Sequence, residues 1–199
     1  KKTVEIKKRL PPNLTKNLEF YKSALNYIID INIQDRFFVE EFTSILLRKI
    51  LTPFTTGFVD LQSPSGIINS VIVYNYDGYV YASDESRMLA EYNDYTFKLG
   101  HVTDRYESIF YGRKAQQIAL IWGTEFITGC ADCAFQSYCG ADPVRNYSAQ
   151  NDMYGFRPTS SLCKKHKAII TYLFYLIQNE HDRVMPIFKQ WINRNENEF

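Results

Sequence analysis

GCADCAFQSYCGADP, residues 129–143, places Cys130, Cys133 and Cys139 in one short stretch of a chain whose fourth and last cysteine is Cys163. All four belong to one C-x2-C-x5-C run with a distant partner. The segment around them, residues 122–162, reads as a long loop, and a loop of that length inside a compact domain needs something to fasten it. Two disulfides are one way. The start of the chain, KKTVEIKKRLPPN, lacks the apolar stretch of an export signal, and four cysteines in 199 residues are few for an oxidised scaffold. Four thiolates on a metal are the better expectation, because tetrahedral zinc and an iron–sulfur cluster both want soft anionic sulfur and both can hold a loop that has no core of its own. Spacing alone does not separate the two. Only one close pair is present where a zinc ribbon has two, and this leans toward a cluster.

The rest of the composition narrows the function classes. With 45% hydrophobic residues the chain can bury one substantial core or two small ones. A formal net charge of +1 with scattered Lys and Arg gives no basic footprint for nucleic acid. No apolar run approaches the length of a membrane span, so a cytoplasmic protein without a membrane partner is expected. Fifteen Tyr and fourteen Phe suit either a half-wet core or a docking surface.

Periodicity predicts a mixed α/β chain. Val4, Ile6 and Leu10 alternate as a short strand that stops at Pro11-Pro12. Leu18, Tyr21, Leu25 and Ile28 fall at helical spacing, with Thr15 or Asn17 as N-cap, and Phe42, Ile45, Leu46 and Ile50 mark a second helix ending before Pro53. NSVIVYNYDGYVYAS reads as a hairpin, residues 71–74 and 79–82 around Asp77-Gly78. Residues 104–121 look helical. A further helix from about Lys164 carries Ile169, Ile170, Leu173, Phe174 and Ile177, with Tyr172, Tyr175 and Leu176 on its other side, and Pro186 should break or kink the chain beyond that helix.

At this point the chain resembles a family, the radical SAM peptide maturases with a C-terminal SPASM region, and within it the B-type maturase of the His-Xaa-Ser system. FVDLQSPSG, VYNYDGYVYASDESRML, CADCAFQSYCGADPV and GFRPTSSLC carry the likeness, which spans residues 20–174. It implies an α+β fold: residues 1–60 as the last β/α unit of a partial radical SAM barrel with connecting helices, 61–182 as a SPASM-like region with a β-hairpin and a metal-binding Cys loop, and 183–199 as a C-terminal helix or tail. It implies Cys130, Cys133, Cys139 and Cys163 as ligands of one auxiliary [4Fe–4S] cluster, with zinc possible in its place. It also implies a precursor peptide as substrate and an oxidoreductase-like post-translational modification. The C-x3-C-x2-C loop that holds the catalytic cluster and S-adenosylmethionine in that family is missing, since no cysteine precedes Cys130. The resemblance therefore implies a C-terminal portion of a larger enzyme, inactive alone and partnered by a radical SAM core, with S-adenosylmethionine bound only in the full-length enzyme and no catalytic residue here. Ser83 and Pro143 stand where the full pattern has cysteines, so one auxiliary cluster is expected instead of two. The alternative function is a non-catalytic, zinc-stapled module that binds protein or peptide.

Several residues near these motifs have plainer roles. Asp142, Pro143 and Gly140 are expected to shape the turn after Cys139. Asp84, Glu85 and Arg87 look like the solvated first turn of a helix more than a peptide contact. His166 is expected on the surface of the last long helix rather than as a ligand.

Overall fold

A computed structural model describes residues 14–58 and 61–193. The expected strand at Val4 to Leu10 lies outside them. The described residues form helices and one small antiparallel sheet and divide into two units, one within residues 45–160 and the other comprising residues 14–44 and 161–193.

The first unit is helical. It holds α1 (Leu14–Ile33), the opening of α2 (Glu41–Leu51), α7 (Ser161–Asn179) and α8 (His181–Asn193). α1 starts at Leu14, so Thr15 and Asn17 lie inside the helix and cap nothing. Leu25 and Ile29, one turn apart, are its fully buried positions. On α7 the buried stripe runs His166, Ile169, Ile170, Leu173, Leu176, and on α8 Val184, Ile187, Phe188, Trp191, Ile192, both at the three-and-four spacing of a helix face turned to a core. Leu176 thus belongs to the core, whereas Tyr175 is half exposed. His166 is buried instead of on the surface, and its ring packs 5.9 Å from that of Phe42. Polar ties frame this core: Asn26 Nδ2 donates to Tyr172 Oη at 2.6 Å and Arg183 pairs with Asp30 at 2.7 Å. Pro186 lies within α8. The break falls earlier, at Glu180, and α8 runs on through Pro186.

The second unit carries the sheet. β1 (Val73–Tyr74) and β2 (Tyr79–Tyr81) form the expected hairpin, in register Val73 with Tyr81 and Tyr74 with Val80. β2 is central, because β3 (Lys98–His101) pairs along its other edge. Val80 is fully buried while Tyr74 stands exposed, so the inner strand rather than the outer carries the packing. The turn needs its glycine. Gly78 has φ +82°, and a Cβ there would lie 2.2 Å from His101 Nε2. Gly78→Ala is expected to cost about 1–2 kcal/mol from the left-handed backbone alone, read as a lower midpoint of urea unfolding, and more because the His101 ring must move.

α3 (Asp84–Ala90) leaves β2 almost at once. Residues 104–121 form two short helices rather than one, α4 (Tyr106–Phe110) and α5 (Arg113–Ala119), because Gly112 brings the chain so close that a Cβ would meet Ser108 O at 2.1 Å. The region read as pure loop contains α6 (Pro143–Gln150). Ile67, Ala82, Phe97, Ile118 and Val144 bury together, with Leu89, Trp122 and Tyr147 against them, so the sheet, α5 and α6 share one core beside the cysteine segment.

Candidate metal centre

The cysteine segment is a ladder of tight turns. Cys130 N–H donates to Ile127 O at 2.9 Å, Cys133 N–H to Cys130 O at 3.0 Å, Gln136 N–H to Cys133 O at 2.9 Å and Cys139 N–H to Gln136 O at 3.1 Å. Each bond closes over three residues, as in a single 3₁₀ turn, while only Gln136–Tyr138 forms a 3₁₀ helix. The x2 and x5 gaps of the motif are therefore one and two steps of the same ladder. Gln136 occupies the step between Cys133 and Cys139 and is tied elsewhere: its Nε2 donates to Thr124 Oγ1 at 3.0 Å and to Glu125 Oε1 at 2.7 Å. At the head of the ladder Gly129, with φ +76°, lies so close to Pro158 that a Cβ would approach its ring to 2.8 Å.

Residues from outside the segment hold its far end. Lys49 Nζ, on α2, donates to Cys139 O at 3.0 Å and also to Leu61 O. Arg157 Nη1 donates to Gly140 O at 2.9 Å, and Ala141 N–H to Gln62 O at 2.9 Å. Burial pulls the Lys49 ammonium below its ordinary pKa, while the nearby Cys139 and Glu125 pull it back up. A cleft of about 650 Å³ opens beside the ladder, lined among others by Thr52, Phe54, Gln62, Ser63, Glu125 and Gln136. At its edge the Glu125 carboxyl is held below the usual range by a backbone hydrogen bond, with Ser63 and Gln136 adding to that against a weaker push from burial.

All four cysteines are half-buried thiols, with no disulfide among them. Cys130, Cys133 and Cys139 share the ladder. Cys163 lies in the other unit, in the first turn of α7. Among the described residues no group of three or more His, Cys, Asp or Glu is assembled to hold a metal ion. The donors nonetheless suit a thiolate-bound metal or cluster in kind and number, being soft and reduced, with three of the four set in one turn ladder.

The positions where the full pattern has cysteines have other work. Ser83 is the N-cap of α3: its side chain accepts from Ser86 N–H at 3.2 Å while Ser86 Oγ accepts from Ser83 N–H at 2.9 Å, a reciprocal box buried from solvent. Pro143 is the first residue of α6, following Asp142, whose carboxylate caps Val144 N–H at 2.9 Å. Ser83→Ala should lower stability by about 1 kcal/mol and leave the metal content of the reconstituted chain unchanged, a pairing of calorimetry with metal analysis that separates a cap from a ligand. Asp84, Glu85 and Arg87 open α3 as expected, with Arg87 bridging Asp84 and Glu91 at 3.1 Å each in solvent. Sequence reading missed Lys49, Arg157 and Gln136, whose roles come from contacts that no local pattern announces.

No protein-family model matches the chain, and no curated protein matches it in sequence. Its fold is that of part of anSMEcpe. A structure of hexahistidine-tagged anSMEcpe with bound AdoMet superposes with a TM-score of 0.59 at 16% identity, covering 92% of this chain and 45% of that one. Native anSMEcpe with bound AdoMet and a Kp18Cys peptide gives 0.59 at 16% identity, covering 92% and 47%. The chain thus spans about half the length of the solved structures it matches. No helix of the described residues is long and apolar enough to cross a membrane.

Proposed function

We propose that this chain is the auxiliary-cluster and peptide-engaging portion of a radical SAM enzyme that modifies a ribosomally made peptide. Cys130, Cys133, Cys139 and Cys163 are the ligands of one [4Fe–4S] cluster. The observation that supports the reading is the turn ladder, in which successive backbone hydrogen bonds across three residues link the peptide groups of three free cysteines. The fold likeness supports it: the anSMEcpe structures hold AdoMet, and one of them also holds a peptide. When bound, a cluster of this kind supplies a one-electron redox centre whose potential depends on its surroundings. The residues of this chain do the rest. The ladder spaces the thiols, Gln136 ties the middle of it to Thr124 and Glu125, and the polar cleft beside it offers hydroxyl, amide and carboxylate groups to a peptide backbone.

Anaerobic reconstitution of the chain should give a brown protein with about four iron and four sulfide per chain, the content of a single [4Fe–4S] centre. A colourless protein with one zinc would instead support the stapled binding module. A value near eight iron would show a second cluster and require ligands other than cysteine. With all four thiols committed to one centre, the reconstituted chain should release no 5′-deoxyadenosine from S-adenosylmethionine above a protein-free control, measured by chromatography; release would overturn the division of labour.

A further inference from the structure

We propose that the cleft beside the cysteine ladder seats a basic side chain, arginine or lysine, of the bound peptide, with Glu125 as its anionic anchor. The inference rests on the peptide-engaging part of the reading above and names the class of side chain that the site takes.

The cleft lies wholly within the unit of residues 45–160, and at about 650 Å³ it has room for a long side chain with the backbone on either side of it. Its walls carry hydroxyls, among them Thr52, Thr55 and Ser63, and one carboxylate, the exposed Glu125. That carboxylate is held still. Its Oε1 accepts from Gln136 Nε2 at 2.7 Å and its Oε2 from Ser63 Oγ at 3.0 Å. Gly123 makes room for it, since a Cβ there would lie 2.9 Å from Oε2. Both side-chain donors are neutral, so they fix the position of the negative charge without cancelling it. An ordinary surface ion pair gains little because two long side chains must be ordered together. Here one partner is ordered beforehand, which removes part of that cost. Lys49 also lines the cleft and feels the Glu125 charge, while its ammonium donates to Leu61 O and Cys139 O at the inner end. Phe54, 59% exposed on the same cleft, offers its ring to the methylene stem of an incoming lysine or arginine. An acidic side chain would meet the fixed carboxylate as a like charge. An apolar one would strip water from the hydroxyls and replace none of their hydrogen bonds. The chain as a whole, at a formal net charge of +1, has no general attraction for cations, so a preference for one belongs to the cleft.

The test uses the full chain, before and after anaerobic reconstitution, with fluorescein-labelled Gly-Ser-Arg-Ser-Gly as probe and fluorescence anisotropy as the readout of binding. The same peptide with citrulline, which keeps the shape of arginine without its charge, and with glutamate at the central position serves for comparison. The arginine peptide should bind about fivefold more tightly than the citrulline one, the upper end for an ion pair at an exposed site. The glutamate peptide should bind least, and the arginine preference should shrink as salt is added. In Glu125→Gln the preference should vanish. Equal binding of the arginine and citrulline peptides to wild type, or no saturable binding of any of them, would overturn the proposal, as would an undiminished preference in a Glu125→Gln chain with wild-type circular dichroism. Should Glu125→Gln not fold, Thr55→Lys, which adds a cation to the exposed wall of the cleft, decides the question: the preference should be lost, and its survival overturns the anchor. Iron content is measured on the same samples. A chain that takes up about four iron but prefers no basic peptide loses the cleft inference and keeps the cluster; one that takes up no iron yet shows the preference keeps the cleft and loses the cluster.

Discussion

Cys139→Ser is expected to take the anaerobically reconstituted chain from about four iron to almost none. The physical reason is the donor. Serine oxygen is harder and far less acidic than a thiol, so it neither matches iron in a sulfide cluster nor ionises readily at neutral pH. The backbone around position 139 does not depend on the sulfur, because Cys139 N–H is bonded to Gln136 O and its carbonyl to Lys49. The variant should therefore keep its helical circular dichroism and lose its colour. Cys163→Ser gives the sharper version, since Cys163 comes from α7 and is the only candidate ligand outside the ladder. It should lose the metal as completely as Cys139→Ser. A Cys163→Ser protein with full metal content and unchanged stability would refute the four-thiolate centre.

Trp191→Ala is expected to destabilise the helical unit by about 3–5 kcal/mol, a large share of the stability of any domain. Trp191 is 1% exposed and packs against Phe188 with ring centroids 5.7 Å apart, within the buried stripe of α8. Truncation to a methyl leaves a cavity that the surrounding helices fill only in part. Trp191→Phe should cost much less. The buried indole N–H makes no hydrogen bond among the described residues, so its removal sacrifices packing area and no polar partner. Chemical unfolding followed by circular dichroism tests both; equal losses in the two variants would mean that the indole N–H, rather than ring volume, dominates.

Much of the architecture is legible in the sequence because its signals are local. The hairpin can be read from alternation around Asp77-Gly78, and α2 from apolar spacing and the stop at Pro53. α6 escapes such reading although Asp142-Pro143 is a helix-start signature, since its few apolar positions show weak periodicity and its Val144 and Tyr147 matter only once the sheet is there to receive them. β3 escapes it for a related reason: Lys98–His101 is short, half-buried along its length and contains a glycine, so its identity comes from pairing with β2. His166 reads as polar and therefore exposed, yet the helix puts it in line with Ile169, Ile170 and Leu173.

The sequence by itself determined the number and spacing of the thiols, the absence of cysteines at Ser83 and Pro143, and the turn chemistry at Gly78. These depend on residue type and on spans of a few residues, where covalent geometry leaves few choices. Only the tertiary structure decided that the Cys139-Gly140 carbonyls are met by Lys49 and Arg157. Such partners are chosen by where desolvated charge finds an acceptor in the folded core, and no local pattern encodes a pairing between residues so far apart along the chain.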